Sequence, residues 1–209
     1  MSRGELAADS PVPTGNTFDK YGSDARVVRR LMAAFEGALN ELIDLAAPDS
    51  ILDVGCGEGV LTHKWAERLA GTTVVGLDLP DAALERQWRS RRHPNLRFLA
   101  GRAEELPFAD HEFDLVSAVE TLEHVADVDR ALAEMVRVVR RHLLVSVPRE
   151  PVWRALNVCR GAYLRALGNT PGHLHHFSRR GLERLLAPHG ALVELRSPLP
   201  WSIALLRVG

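Results

Sequence analysis

The run Ile51-Leu52-Asp53-Val54-Gly55-Cys56-Gly57-Glu58-Gly59 puts an acidic residue and three alternating glycines at the end of an apolar stretch. Glycine tolerates positive φ and carries no side chain, so a ligand can lie against bare main chain there. A helix starting after the turn adds unpaired N–H groups. The spacing is G-x-G-x-G. A dinucleotide fingerprint needs G-x-G-x-x-G, and Val60 stands where its last glycine would be. Asp53, just ahead of the glycines, would repel a pyrophosphate and suits a ligand with a cationic end. Asp78 closes the next apolar stretch, in Gly76-Leu77-Asp78-Leu79. A carboxylate at that remove from the glycines can accept both hydroxyls of a ribose.

A second constellation is Glu120-Thr121-Leu122-Glu123-His124. If a helical turn starts there, Glu120, Glu123 and His124 fall on one face. Two carboxylates and an imidazole can hold a divalent ion such as Mg, Mn or Zn. The same groups can act as an acid–base pair, with Glu120 or Glu123 orienting His124. They can also be a polar cluster facing a cofactor. His173, His175 and His176, after the Pro171-Gly172 turn, could add a metal or substrate contact, or be a solvated loop.

The elements that would position these residues follow from periodicity. Apolar residues at helical spacing (Val28, Leu31, Met32, Phe35, Leu39, Leu42, Ile43) mark a helix over 25–47, with Asp24 as its cap. Short apolar runs at 51–54, 73–77, 96–100, 113–119 and 143–147 read as strands, and helices are expected at 61–69, 81–90 and 128–139. Strands alternating with helices indicate βαβ units and a mostly parallel sheet covered on both faces. Beyond residue 150 the rhythm changes. A helix or helix pair is expected over 152–167, a turn at 168–172 and a helix at 179–187. Two late strands, 192–196 and 203–208, are expected to pair antiparallel. Residues 1–17 read as a flexible lead and 18–209 as one domain.

The 209 residues are 46% hydrophobic and 25% charged, with a net charge of -1. That balance fits a globular domain and excludes collagen-like or low-complexity sequence. There is no overall basic excess, so no nucleic-acid partner is expected. The run Arg86, Arg89, Arg91 and Arg92 reads as a solvated helix end. Two cysteines, Cys56 and Cys159, give no disulfide framework, and no apolar run nears the length that spans a bilayer. The expectation is a cytoplasmic protein.

With these motifs the chain resembles the class I S-adenosylmethionine-dependent methyltransferases, from about Phe18 to its C-terminus. The resemblance implies a Rossmann-like fold with a seven-stranded, mostly parallel sheet, an antiparallel last strand and a helical lid at 149–177. It implies that Asp53, Gly55, Cys56 and Gly57 line the methionine part of the cofactor, that Asp78 holds the ribose and that Leu79 lies beside the adenine. The segment 101–108 matches a third motif, but Arg102 replaces an Asp that bonds the adenine amine in many relatives. Adenine recognition then falls to the main chain near Ala103 or to Glu104. A second departure is the missing Pro-Gly-Gly turn before the fifth strand, where Arg140-Arg141-His142 leads straight into Leu143. The E-x-x-E-H pattern resembles that of the ubiquinone-biosynthesis O-methyltransferases and the small-RNA 2′-O-methyltransferases, where such residues bind a metal.

The implied activity is methyl transfer from S-adenosylmethionine to a hydroxyl on a small, lipid-linked or glycan-linked acceptor. Nitrogen or carbon acceptors and a non-catalytic S-adenosylmethionine-binding module are the rival readings, and an NAD-type oxidoreductase is disfavoured by Asp53 and the glycine spacing. Residues 152–167 read either as a lid over the site or as a basic amphipathic surface that meets a membrane. Lys20 and Tyr21 are further candidates for touching cofactor or acceptor.

Overall fold

The computed structural model describes residues 26–159, 161 and 163–209. The lead expected at 1–17, the expected Asp24 cap and the candidates Lys20 and Tyr21 lie outside the described residues. The helices are α1 (Arg26–Ala46), α2 (Val60–Arg68), α3 (Ala82–Ser90), α4 (Val128–Val138), α5 (Val152–Cys159) and α6 (Arg179–Leu186). The strands are β1 (Ser50–Val54), β2 (Thr73–Asp78), β3 (Leu96–Ala100), β4 (Phe113–Val119), β5 (Val139–Pro148), β6 (Ala191–Arg196) and β7 (Trp201–Arg207).

The seven strands form one sheet in the order β3-β2-β1-β4-β5-β7-β6. β1 to β5 are parallel, while β7 runs antiparallel between β5 and β6. The late strands therefore pair as expected, and β7 inserts between its partner and the parallel set. Strand side chains alternate between the faces. Ile51, Leu115, Leu144, Ile203 and Leu205 pack with Phe35, Leu39, Leu42 and Ile43 of α1 and Trp65 of α2. Leu52, Val54, Val116, Val145 and Leu206 pack on the other face with Leu132 and Met135 of α4 and Leu182 and Leu186 of α6. Burial on both faces is why the parallel strands read as continuous apolar runs.

Two elements differ from expectation. β5 begins at Val139, directly after α4, and not at Leu143. Val139 is already extended at φ -83 and ψ 141, and Arg140 is fixed at once by Asp114 (2.8 Å) and the His111 carbonyl (3.2 Å). The helix runs into the strand without needing the missing turn. The segment 152–167, expected as a helix or helix pair, is α-helical only to Cys159, and a single 3-10 turn follows at Leu164–Ala166. Gly161, Tyr163, Leu167 and Gly168 all have positive φ, and the segment folds back on α5. Arg154 donates to the Leu167 carbonyl (3.0 Å) and Asn157 to that of Gly168 (2.8 Å).

Candidate functional site

β1 is central, flanked by β2 and β4. Its C-terminal end, with those of β2 and β4, lies where ligands bind in open α/β sheets. Past Val54 the chain turns sharply. The N–H groups of Gly55 and Cys56 both donate to the Leu77 carbonyl, at 2.7 and 3.1 Å. Gly55 has φ +75, and a Cβ there would sit 2.3 Å from the Thr121 side chain. Gly57 has φ +55 and open space on its Cβ side. The turn is therefore a cradle of bare main chain beside a cavity. It is locked from α3, where Trp88 donates its indole N–H to the Gly57 carbonyl (2.8 Å) and stacks on Phe98.

The two acidic residues flank this cradle. Asp78 accepts from the N–H groups of Gly57 (2.6 Å) and Leu79 (2.7 Å). Burial raises its affinity for a proton, and those two N–H bonds oppose the rise. Asp53 is 3% exposed and accepts from the hydroxyls of Thr62 (2.7 Å) and Ser117 (2.9 Å). Burial pushes its pKa up to about 6, against the bonds from Thr62 and Ser117, which favour the ionised form. Burial also pushes the Cys56 thiol well up, so it stays protonated.

One cavity of about 610 Å³ takes in Asp53, Gly55, Cys56, Gly57, Asp78 and Leu79, then Ala103 and Glu104, then Glu120, Glu123 and His124. Arg102 also lines it, 3.6 Å from the Glu104 carboxylate. The segment beyond is held from α4, as Arg137 donates to the carbonyls of Leu106 (3.0 Å) and Phe108 (2.8 Å). Bonding to Arg137 pulls Glu134 down to about 2, and Glu134 accepts the Leu106 N–H (2.8 Å).

The expected helical face at 120–124 does not form. Glu120 has φ +56, and its own carboxylate is engaged elsewhere. It accepts from the Ser146 hydroxyl (3.0 Å) and the Trp201 indole (2.8 Å). Residues 121–125 make a tight turn, with the His124 N–H on the Thr121 carbonyl at 2.9 Å. Glu120 is thus separated from Glu123 and His124, because β5 and β7 supply its partners. His173 takes its place. One donor atom each of Glu123, His124 and His173 lie within 4.8 Å of one another. His175 and His176 are drawn away, His175 to the Val125 carbonyl (2.9 Å) and His176 towards Glu150 (3.9 Å).

The loop bearing His173 is pinned to this turn. Leu174 donates to the Glu123 carbonyl at 2.7 Å. His124 Nδ1 lies 2.9 Å from the Gly172 carbonyl. A carbonyl can only accept, so Nδ1 donates the proton of that bond, which in a neutral ring leaves the lone pair on Nε2. A metal-binding histidine is oriented in the same way, so the donor set of Glu123, His124 and His173 suits a divalent ion as well as proton transfer.

Sequence reasoning missed Thr62, Ser117, Thr121, Ser146 and Trp201. Ser117 left a signal, as a polar residue in an otherwise apolar stretch of β4. Thr62 sits in the helix after the glycines, nine residues from Asp53, and the rest face their partners through long-range pairing.

Residues 52–144 match the family model described as a methyltransferase domain. A methyltransferase of Streptomyces halstedii, GfsG, is 32% identical over 134 residues, covering 61% of this chain and 48% of that protein. The demethylmenaquinone methyltransferase of Thermus thermophilus is 37% identical over 125 residues, covering 59% and 53%. The chain thus spans about half the length of these curated relatives. The crystal structure of Synechocystis magnesium protoporphyrin IX methyltransferase with bound S-adenosylhomocysteine superposes with a TM-score of 0.64 at 15% identity, covering 90% of each chain. Residues 52–144 thus match a methyltransferase domain, and the chain has the fold of the class I methyltransferases.

Proposed function

We propose that this chain transfers a methyl group from S-adenosylmethionine to a hydroxyl oxygen of a small or lipid-linked acceptor. The observation that carries the reading is one cavity holding both the glycine cradle and His124, its lone pair fixed on Nε2 by the Gly172 carbonyl. The cradle fits the methyl donor. Asp53 suits its cationic end, Asp78 its ribose and the Ala103–Glu104 main chain its adenine. When bound, the donor supplies an electrophilic methyl carbon on a sulfonium. The acceptor hydroxyl gives its proton to His124 Nε2. The acceptor oxygen bonds to the methyl carbon as the carbon–sulfur bond breaks, and that electron pair stays on sulfur. Little covalent help is needed, and alignment with exclusion of water supplies much of the rate.

The names of the relatives support a small or lipid-linked acceptor, since they include a demethylmenaquinone methyltransferase and a phthiotriol/phenolphthiotriol dimycocerosates methyltransferase. Val27 and Leu156, on the cavity wall, are 68% and 43% exposed, which suits an acceptor with an apolar tail and an approach from a membrane surface. Among the described residues no helix is long and apolar enough to cross a membrane. Flotation with anionic vesicles tests that approach, and no binding at low salt removes it.

Turnover with radiolabelled S-adenosylmethionine tests the main reading. His124→Ala is expected to cut kcat by about 10²- to 10⁴-fold, with S-adenosylhomocysteine affinity held within about twofold. Product analysis should find a methyl ether. Methylamine or C-methyl products move the reading to nitrogen or carbon, and cofactor binding without any transfer leaves a binding module.

The Glu123, His124 and His173 cluster favours a second reading, in which these residues hold a divalent ion that acidifies the acceptor hydroxyl. Chelation then abolishes turnover and Mn²⁺ or Zn²⁺ restores it. Turnover indifferent to chelator favours His124 as the base.

A further inference from the structure

Arg140, Arg141, His142, Arg207 and Val208 line a second cavity, of about 260 Å³. It lies towards the amino-terminal edge of the parallel strands, away from the glycines. His142 of β5 and Arg207 of β7 are cross-strand partners there. At the other end of the same pair Pro148 meets Trp201, which lines the large cavity. The strand climbs about 20 Å between His142 and Pro148. The second cavity is therefore no extension of the first.

His142 is 6% exposed, and its Nδ1 is buried with no hydrogen-bond partner among the described residues. A buried nitrogen left in that condition costs stability, and an apolar ring of similar shape would not. The charges around it are also out of balance. Asp114 is answered by Arg140 (2.8 Å) and by the Asp49 N–H (3.1 Å). Arg141 reaches the Ala46 carbonyl, at the end of α1, only at 3.4 Å. Among the described residues no carboxylate forms an ion pair with Arg141 or Arg207. Burial lowers the affinity of the His142 ring for a proton. Arg141 and Arg207 lower it further, and Asp114 opposes them. A neutral imidazole that still carries one N–H thus sits beside two cations. That is the complement of an oxyanion, which guanidinium groups bind through paired N–H bonds.

We propose that this cavity binds a small oxyanion of the phosphate class, with His142 Nδ1 donating to one oxygen and Arg141 and Arg207 closing on the others. The ligand gives the buried nitrogen its partner and the two arginines their counter-charge. The site is independent of the methyltransferase reading and stands or falls without it.

Calorimetry on the full chain tests this, at about 0.15 M chloride so that exposed charges are screened. Inorganic phosphate is expected to fill one saturable site per chain. His142→Phe keeps a ring but offers no donor, and should weaken phosphate about tenfold. Arg207→Gln should weaken it about three- to tenfold, and Arg207→Lys should recover part of that loss. Thermal unfolding gives a second readout. Phosphate should raise the midpoint of the wild type and not that of His142→Phe. Without phosphate His142→Phe should be at least as stable as the wild type, because the unpartnered nitrogen is gone. Circular dichroism reports that each variant is folded. If His142→Phe is not, Arg207→Gln decides, since Arg207 is exposed. Glycerol 3-phosphate separates the two sources of such a group. Tighter binding than phosphate marks a phosphorylated molecule as the ligand, and equal or weaker binding marks the free ion. No heat from either probe, or equal affinities in the wild type, His142→Phe and Arg207→Gln, overturns the inference.

Discussion

The glycine side and the ring side of the cavity are built in different ways. On the glycine side, Asp53, Gly55, Gly57 and Asp78 come from β1, the turn after it and the end of β2, and much of the surface is main chain. On the ring side, Phe35, His124, Trp153, His173 and Trp201 come from α1, the turn after β4, α5, the 168–175 loop and β7. A main-chain cradle depends on local φ values, so it is written in a few adjacent residues. A side-chain wall depends on distant elements converging, and each contributor can be replaced separately. One side therefore suits an invariant ligand and the other a specific one. Glu120 joins them, linking the end of β4 to Ser146 of β5 and Trp201 of β7.

The sharpest break of this contrast is Gly55→Ala. It imposes a side chain at φ +75 and drives a Cβ to 2.3 Å from Thr121. Together these should cost about 3 kcal/mol of S-adenosylhomocysteine binding, about a hundredfold by calorimetry. Adding Thr121→Ala should recover part of the loss, because it removes the atoms in the way. An unimpaired Gly55→Ala protein would mean the cradle does not hold the ligand.

Glu120 tests the joint between the sides. Glu120→Ala leaves the Trp201 and Ser146 donors without this acceptor and should lower unfolding stability by about 2 kcal/mol in urea. Glu120→Gln, which keeps an acceptor oxygen, should cost about half as much. Loss of methyl transfer at full stability would instead put Glu120 in the chemistry.

Asp53 gives the glycine side a pH signature. Its pKa is pushed from 3.8 up to about 6, so the folded protein holds that proton more tightly than the unfolded chain. Its contribution to stability therefore falls as pH rises from 3.8 through about 6. A cationic ligand needs the ionised form, so S-adenosylmethionine affinity should rise over the same range, by up to about tenfold per pH unit below 6 and levelling off above it. Asp53→Asn should flatten the profile.

The smallest effect is expected at Asp81, whose side chain caps α3 by accepting from the N–H groups of Ala83 (2.7 Å) and Leu84 (3.1 Å). Asp81→Ala should cost about 1 kcal/mol of stability and leave methyl transfer unchanged.

What the sequence alone determined is the alternation of elements and the glycine side. Apolar periodicity located the parallel strands, because both faces of the sheet are buried. The motif from Leu52 to Gly59 located the cradle, because positive φ at Gly55 and Gly57 is a property of the residue type itself. Tertiary structure decided the rest. It drew Glu120 out of its expected cluster through Ser146 and Trp201, put His173 there in place of His175 or His176, and ended α5 at Cys159 with Leu167 and Gly168 folded back on it. Each of these outcomes turns on a bond or packing contact made by side chains far apart in the chain. No local pattern encodes such a meeting, which exists only once β5, β7 and the 168–175 loop have closed around the end of β4.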